Sequence, residues 1–138
     1  MLPYKTEVFV VPAHQIHAQC FSRPWSESEF CTLLRLPSSR LWIDDTSLLL
    51  CAHILDEMEI LTLGVIPEER RKGKAYSLLT QLFQYAQAHQ VKHIFLEVAE
   101  NNQAARCLYE KMGFVLMGRR PKYYERGKID ALTYQKVF

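Results

Sequence analysis

Arg70-Arg71-Lys72-Gly73-Lys74-Ala75 joins the apolar, strand-like run Ile60 to Val65 to a long amphipathic segment beginning at Tyr76. A basic loop that carries a glycine and opens a helix is suited to hold phosphate. The first N–H groups of a helix have no intrahelical partner, and the helix dipole places partial positive charge there. Gly73 lets the backbone come close to a ligand. The alternative reading is a solvated charge run with an ordinary turn glycine. The loop contains neither G-x-x-x-x-G-K-[ST] nor G-x-G-x-x-G, which disfavours a nucleotide triphosphatase and a Rossmann dehydrogenase.

Upstream of the loop, Arg40 to Ile43, Ser47 to Ile54 and Met58 to Val65 read as three strands separated by short polar turns, an antiparallel meander. Downstream, Tyr76 to Gln90 is predicted helical from Ala75, Leu78, Leu79, Leu82 and Ala86. Ile94 to Ala99 is an apolar run of buried-strand length, so Met58 to Ala99 forms a right-handed βαβ unit with a parallel pair at its centre. A further helix is expected from Asn102 to Met112, with Gly113 at its C′ position. Phe114 to Arg120 and Asp130 to Phe138 close the chain as strands.

Nearer the N-terminus, Thr6 to Val11 reads as a first strand and Pro12 to Phe21 as a short helix. Ser26 and Glu29 stand at capping-box spacing, with Trp25 and Phe30 at the two positions of a hydrophobic staple. A second helix should therefore start at Ser26 and end near Leu36, before Pro37. The predicted order is β α α β β β α β α β β: an α/β (α+β) fold with a mixed central sheet of six or seven strands flanked by helices. It is read as a single domain over residues 1–138.

With 138 residues, 49% of them apolar, the chain can bury one real core. Its formal net charge of +2 is too small for a nucleic-acid protein, and its basic residues cluster locally, which suggests a local anion. No apolar run approaches the roughly 20 residues of a membrane span, and the N-terminus lacks a signal-peptide core, so a cytoplasmic protein, a monomer or weak dimer, is expected. Cys20, Cys31, Cys51 and Cys107 are irregularly spaced and read as reduced thiols, and no metal site is expected.

Several stretches together resemble the GCN5-related N-acetyltransferase (GNAT) superfamily. They are Arg23-Pro24-Trp25-Ser26, Leu63-Gly64-Val65 before the basic loop, Leu96-Glu97-Val98, Asn102 with Leu108-Tyr109-Glu110, Gly113-Phe114, and Arg119-Arg120 before Tyr123-Tyr124. They span most of the chain in the family's order. Within the superfamily the resemblance is to the branch that acetylates the N-terminal alanine of ribosomal protein S18.

The resemblance implies an acetyl-CoA-dependent N-acetyltransferase that moves an acetyl group directly to a primary amine, without an acyl-enzyme. The coenzyme's diphosphate would lie on the backbone of Arg71, Lys72, Gly73, Lys74, Ala75 and Tyr76. Its pantetheine arm would run beside Leu63, Gly64 and Val65, with Asn102 assisting, although an N-cap role also explains that asparagine. Glu97 would be the general base and Tyr109 the proton donor to the coenzyme thiolate. Two titratable groups on opposite sides suffice for the chemistry, because the amine must lose a proton and the departing thiolate should gain one. Desolvation among Phe95, Leu96 and Val98 would favour the neutral form of Glu97. The plain alternatives are a strand-end carboxylate paired with Lys92 or Arg106, and a core tyrosine.

Trp25 and Tyr123 would bind the acceptor, a protein or peptide N-terminus. Arg23, Ile66, Ala99 and Ile129 depart from the family's usual residues on this acceptor side. A small amine, a lysine side chain, or a non-catalytic acyl-CoA-binding role are the competing readings.

Overall fold

Strands β1 (Ser39–Ile43) and β2 (Ser47–Ile54) form from apolar runs largely buried on both faces, and β3 (Glu57–Val65) alternates exposed Glu57 and Glu59 with buried Met58 and Ile60 before its own apolar run. Because successive side chains of a strand point to opposite sides, each run feeds two cores. Leu41, Ile43, Leu48 and Leu50 pack with Ala13, Ile16, Phe30 and Leu34, from helices α1 (Val10–Cys20) and α2 (Glu27–Arg35). Trp42, Leu49, Cys51, Met58 and Ile60 pack on the other side with Leu78, Leu79, Leu82 and Ala86 of α3 (Lys74–Ala88) and Tyr109 of α4 (Gln103–Lys111). The computed structural model describes residues 7–124 and 126–138. Strands β4 (His93–Ala99), β5 (Val115–Tyr124) and β6 (Ile129–Val137) complete a six-stranded sheet of order β1-β2-β3-β4-β6-β5. Only the β3–β4 pair is parallel; the other four pairings are antiparallel.

The element order follows the expectation from the first helix onward, and the six strands lie within the six or seven foreseen. The strand expected over Thr6 to Val11 does not form in its described part. Glu7–Phe9 is a 3-10 turn and Val10 and Val11 open α1, while Thr6 lies outside the described residues. The β-branched Val8, Val10 and Val11 suggested a strand, but Ala13, Ile16 and His17 are buried at helical spacing, and that packing prevails over local propensity. The predicted start of α2 is borne out: Ser26 Oγ accepts from Glu29 N–H at 3.0 Å, and the Trp25 and Phe30 rings lie 5.3 Å apart.

One irregularity positions the site. In the β2–β3 ladder Cys51 faces Ile60 and Leu50 faces Thr62, so Leu61 is an extra residue, a β-bulge. Ile60 packs toward α3 and α4; Leu61 and Thr62 both turn toward α1; Leu63 returns to the α3 side. The parallel pairing of β3 with β4 runs from Glu57↔His93 to Ile60↔Leu96 and stops at this bulge. From there β3 stays with β2 as far as Val65, and β4 stays with β6 as far as Ala99. A wedge opens in the middle of the sheet.

Candidate active site

The wedge is a cavity of about 770 Å³, walled by Ile60 to Leu63 of β3 and Leu96 to Ala99 of β4. Glu97 and Tyr109 reach it from opposite sides. On β4, Ile94, Leu96 and Val98 enter the α3/α4 core, so by alternation Glu97 faces the other way. Tyr109 belongs to that core and is 7% exposed, yet it also lines the cavity. Burial pushes its phenol well above the ordinary tyrosine range, with smaller contributions from Cys51 and Tyr124.

Glu97 is held by neither Lys92 nor Arg106. Its Oε1 accepts a charge-assisted hydrogen bond from Arg120 at 2.8 Å, and its Oε2 is buried without a partner among the described residues. The Arg120 guanidinium in turn lies 4.3 Å from the centre of the Tyr123 ring. Burial raises the carboxyl of Glu59 and the phenol of Tyr124, and the charge of Glu97 adds to both shifts, which places these groups in one electrostatic neighbourhood.

A second cavity, of about 420 Å³, adjoins the basic loop and is lined by Val65, Arg71, Gly73, Lys74, Ala75, Tyr76, Cys107 and Leu108 among others. Arg71 at φ 63° and Gly73 at φ 81° are both left-handed, so the backbone turns sharply before α3. Gly73 is the N-cap residue, and no side chain caps the helix. The amides of the first turn are therefore left for a ligand, a concavity that favours anions. The loop's cations are less available than the sequence implies. Arg70 donates to Val65 O at 2.9 Å, Lys72 pairs with Glu69 at 2.9 Å, and Lys74 is tied to Thr46 and Asp44.

Of the expected coenzyme-side residues, Leu63 and Asn102 line the larger cavity, and Val65, Arg71, Gly73, Lys74, Ala75 and Tyr76 the smaller. Lys72 and Gly64 line neither. A Cβ on Gly64 would meet Cys20 Sγ at 3.0 Å and a Phe21 ring carbon at 3.3 Å, so this glycine permits β3 to pack closely on the end of α1. Asn102 also caps α4, accepting from Ala105 N–H at 3.2 Å.

On the acceptor side Trp25 lines the larger cavity and Tyr123 does not; its neighbour Tyr124 does. Several cavity residues escaped the sequence reading, His17 and Thr62 foremost. Trp25 N–H donates to His17 Nδ1 at 3.1 Å, so the ring proton is on Nε2, 3.1 Å from Thr62 Oγ1. The ring is 3% exposed and stacks on Trp25 at 4.9 Å. Burial, aided by nearby His14, lowers its pKa from 6.5 to about 4. Only the helical spacing of Ala13, Ile16 and His17 could have signalled that this histidine faces inward.

Among the described residues no helix is long and apolar enough to cross a membrane, and no cluster of three metal-ligating side chains occurs.

The Acetyltransferase (GNAT) family matches residues 10–114. The chain is 32% identical over 126 residues to the [ribosomal protein bS18]-alanine N-acetyltransferase of Salmonella typhimurium, covering 87% of this chain and 85% of that protein. It is 36% identical over 80 residues to the N-alpha-acetyltransferase RimI of Mycobacterium tuberculosis, a match spanning 58% of this chain and about half, 49%, of that relative. The crystal structure of the ribosomal-protein-S18-alanine N-acetyltransferase from Escherichia coli superposes with a TM-score of 0.86 at 26% identity, covering 94% of this chain and 88% of that one. The chain belongs to the GNAT family and is a RimI-like acyltransferase, an N-acetyltransferase by descent.

Proposed function

We propose that the protein transfers an acetyl group from acetyl-CoA to a protein N-terminal amine, in the manner of the S18-alanine enzymes it resembles. The observation that carries this reading is the wedge at Leu61, which opens toward a carboxylate on one face of the sheet and a buried phenol on the other. An acetyl donor must carry a handle, and the uncapped start of α3 fits the diphosphate of coenzyme A. The pantetheine arm would follow β3 between the two cavities, pairing its amides with backbone groups that the bulge releases from β4. Asp, Glu or metal at the phosphates is not required.

Glu97 would take the proton of the incoming ammonium at Oε2, the oxygen that Arg120 leaves free and that no described group satisfies. The amine nitrogen then bonds to the thioester carbonyl carbon as the carbon–sulfur bond breaks. Tyr109, kept protonated by burial, would donate its phenolic proton to the departing thiolate. Trp25, fixed by His17, would form the acceptor wall opposite Tyr124.

The test is to offer acetyl-CoA with peptides of free or blocked N-terminus, lysine peptides and polyamines, and to follow thiol release. Turnover confined to free N-termini supports the proposal. Turnover confined to polyamines or lysine side chains would replace the acceptor, and the absence of acetyl-CoA binding by calorimetry would overturn the donor as well.

A further inference from the structure

Glu97 takes its partner from two strands away. Strand β6 lies between β4 and β5, so the backbones of Glu97 and Arg120 are separated by two strand spacings, about 10 Å. In the cross-strand row that holds Glu97, Thr133 of β6 is followed by Gly118 of β5, which has no side chain to offer. Arg120 enters from the next row, where it faces Ala131. Leu132 and Tyr134 enter the α3/α4 core, so Ala131 and Thr133 face the other way, and these small residues leave room for the guanidinium to cross to Glu97.

The backbone makes the choice of Arg120 over Arg119. Leu116 faces Tyr134 and Gly118 faces Thr133, so Met117 is an extra residue in β5. An unbroken ladder would set Arg119 opposite Ala131, on the Glu97 face. The bulge turns Arg119 to the other face, onto Asp130 and Glu100, and leaves Arg120 for Glu97. The Tyr123 ring, 4.3 Å from the guanidinium, holds it from a second side. Arg120 donates to Oε1 at 2.8 Å, while Oε2 stays buried without a partner among the described residues. A carboxylate free to turn about its last bond would present either oxygen to the wedge, because that torsion is broad. Anchored through Oε1, it keeps one set of lone pairs aimed.

We infer that Arg120 is a positioning residue of the reaction, fixing the Glu97 carboxylate so that Oε2 alone receives the proton of the incoming ammonium. An arginine keeps its own proton at any working pH, so it serves neither as acid nor as base. Its contribution is orientation, together with a counter-charge that stays in place while Glu97 alternates between carboxylate and acid. The same guanidinium opposes the shifts that burial and the Glu97 charge impose on Glu59 and Tyr124. This inference rests on the assignment of Glu97 as base and adds how that base is aimed.

The experiment measures kcat and KM with a peptide of free N-terminus, and acetyl-CoA affinity by calorimetry, for Arg120→Gln, Arg120→Lys, Glu97→Gln and the double variant Glu97→Gln/Arg120→Gln. The Arg120 side chain is 54% exposed, so its replacement should leave the melting curve close to that of the wild type. Arg120→Gln should lower kcat roughly tenfold at unchanged acetyl-CoA affinity. Arg120→Lys, which keeps the charge but not the planar fork, should recover part of that loss. In the Glu97→Gln background the Arg120→Gln change should cost nothing further, because its effect passes through the carboxylate. Wild-type turnover by Arg120→Gln would overturn the inference. A second loss of the same size in the Glu97→Gln background would also overturn it, by giving Arg120 a role of its own, and a lower melting temperature at unchanged kcat would assign Arg120 to stability alone. Full activity of Glu97→Gln would remove the base beneath the inference, and a wild-type protein that acetylated no amine would sink the acetyltransferase reading itself.

Discussion

Acidification should weaken this fold through one imidazole. His17 is neutral in the folded protein, accepting from the Trp25 amide and facing the Thr62 hydroxyl, with Phe21 and Trp25 rings 4.3 and 4.9 Å away. A second ring proton would point at the Trp25 N–H and charge a group that is 3% exposed. Because the folded pKa is depressed, from 6.5 to about 4, the unfolded chain binds this proton first as pH falls. The stability owed to neutral His17 is therefore complete above about pH 6.5 and declines until about pH 4, where the folded state protonates too. The full span of about 2.5 units corresponds to about 3 kcal/mol, of which about 2 kcal/mol is lost by about pH 5. Urea unfolding of the wild type and of His17→Gln, at about pH 7.5, 6 and 5, isolates it from the carboxylates common to both chains. The variant should start about 1–3 kcal/mol less stable, having lost the ring that stacks on Trp25 and places Nδ1 on Trp25 N–H, and then converge on the wild type. Parallel curves, or an imidazole resonance titrating near the ordinary histidine value, would refute the argument.

Glu97→Gln should cut turnover by about 10²-fold or more with acetyl-CoA affinity little changed, read by thiol release and calorimetry; wild-type turnover would remove it from the chemistry. Tyr109→Phe should lower kcat, whereas a purely structural phenol would show as a lower melting temperature at unchanged kcat. Gly73→Glu should abolish coenzyme binding, since it places a side chain on a φ of 81° and a negative charge at the phosphate cradle. Gly64→Ala should destabilise by about 1–3 kcal/mol in urea unfolding, because its methyl has Cys20 and Phe21 at 3.0–3.3 Å.

The parts of this fold legible in the sequence are those whose signals are local. Ser26 and Glu29 announced a helix start, Leu78 to Ala86 a buried helix face, and the strand, loop and helix around Gly73 the parallel pair. The terminal strand was misread because Val8, Val10 and Val11 satisfy strand propensity, while the partners that select helix, Phe30 and Leu41 among them, are distant in sequence. The site divides along the same line. Leu63, Val65, Gly73, Glu97 and Tyr109 lie within one continuous βαβα stretch and could be placed from spacing and family pattern together. Arg120, His17 and Thr62 escaped because their roles depend on register. Arg120 meets Glu97 across β6, and Thr62 meets His17 only because a bulge turns it toward α1.

Leu61 carries a last implication. Excising that codon would restore an unbroken ladder in which Thr62 still faces α1 between Ile60 and Leu63, and would extend the β3–β4 pairing past Ile60. Such a deletant should retain strand content by circular dichroism while losing its coenzyme, because the doorway in the sheet would have become a wall. On this reading one inserted amino acid separates an inert scaffold from a catalyst of this kind.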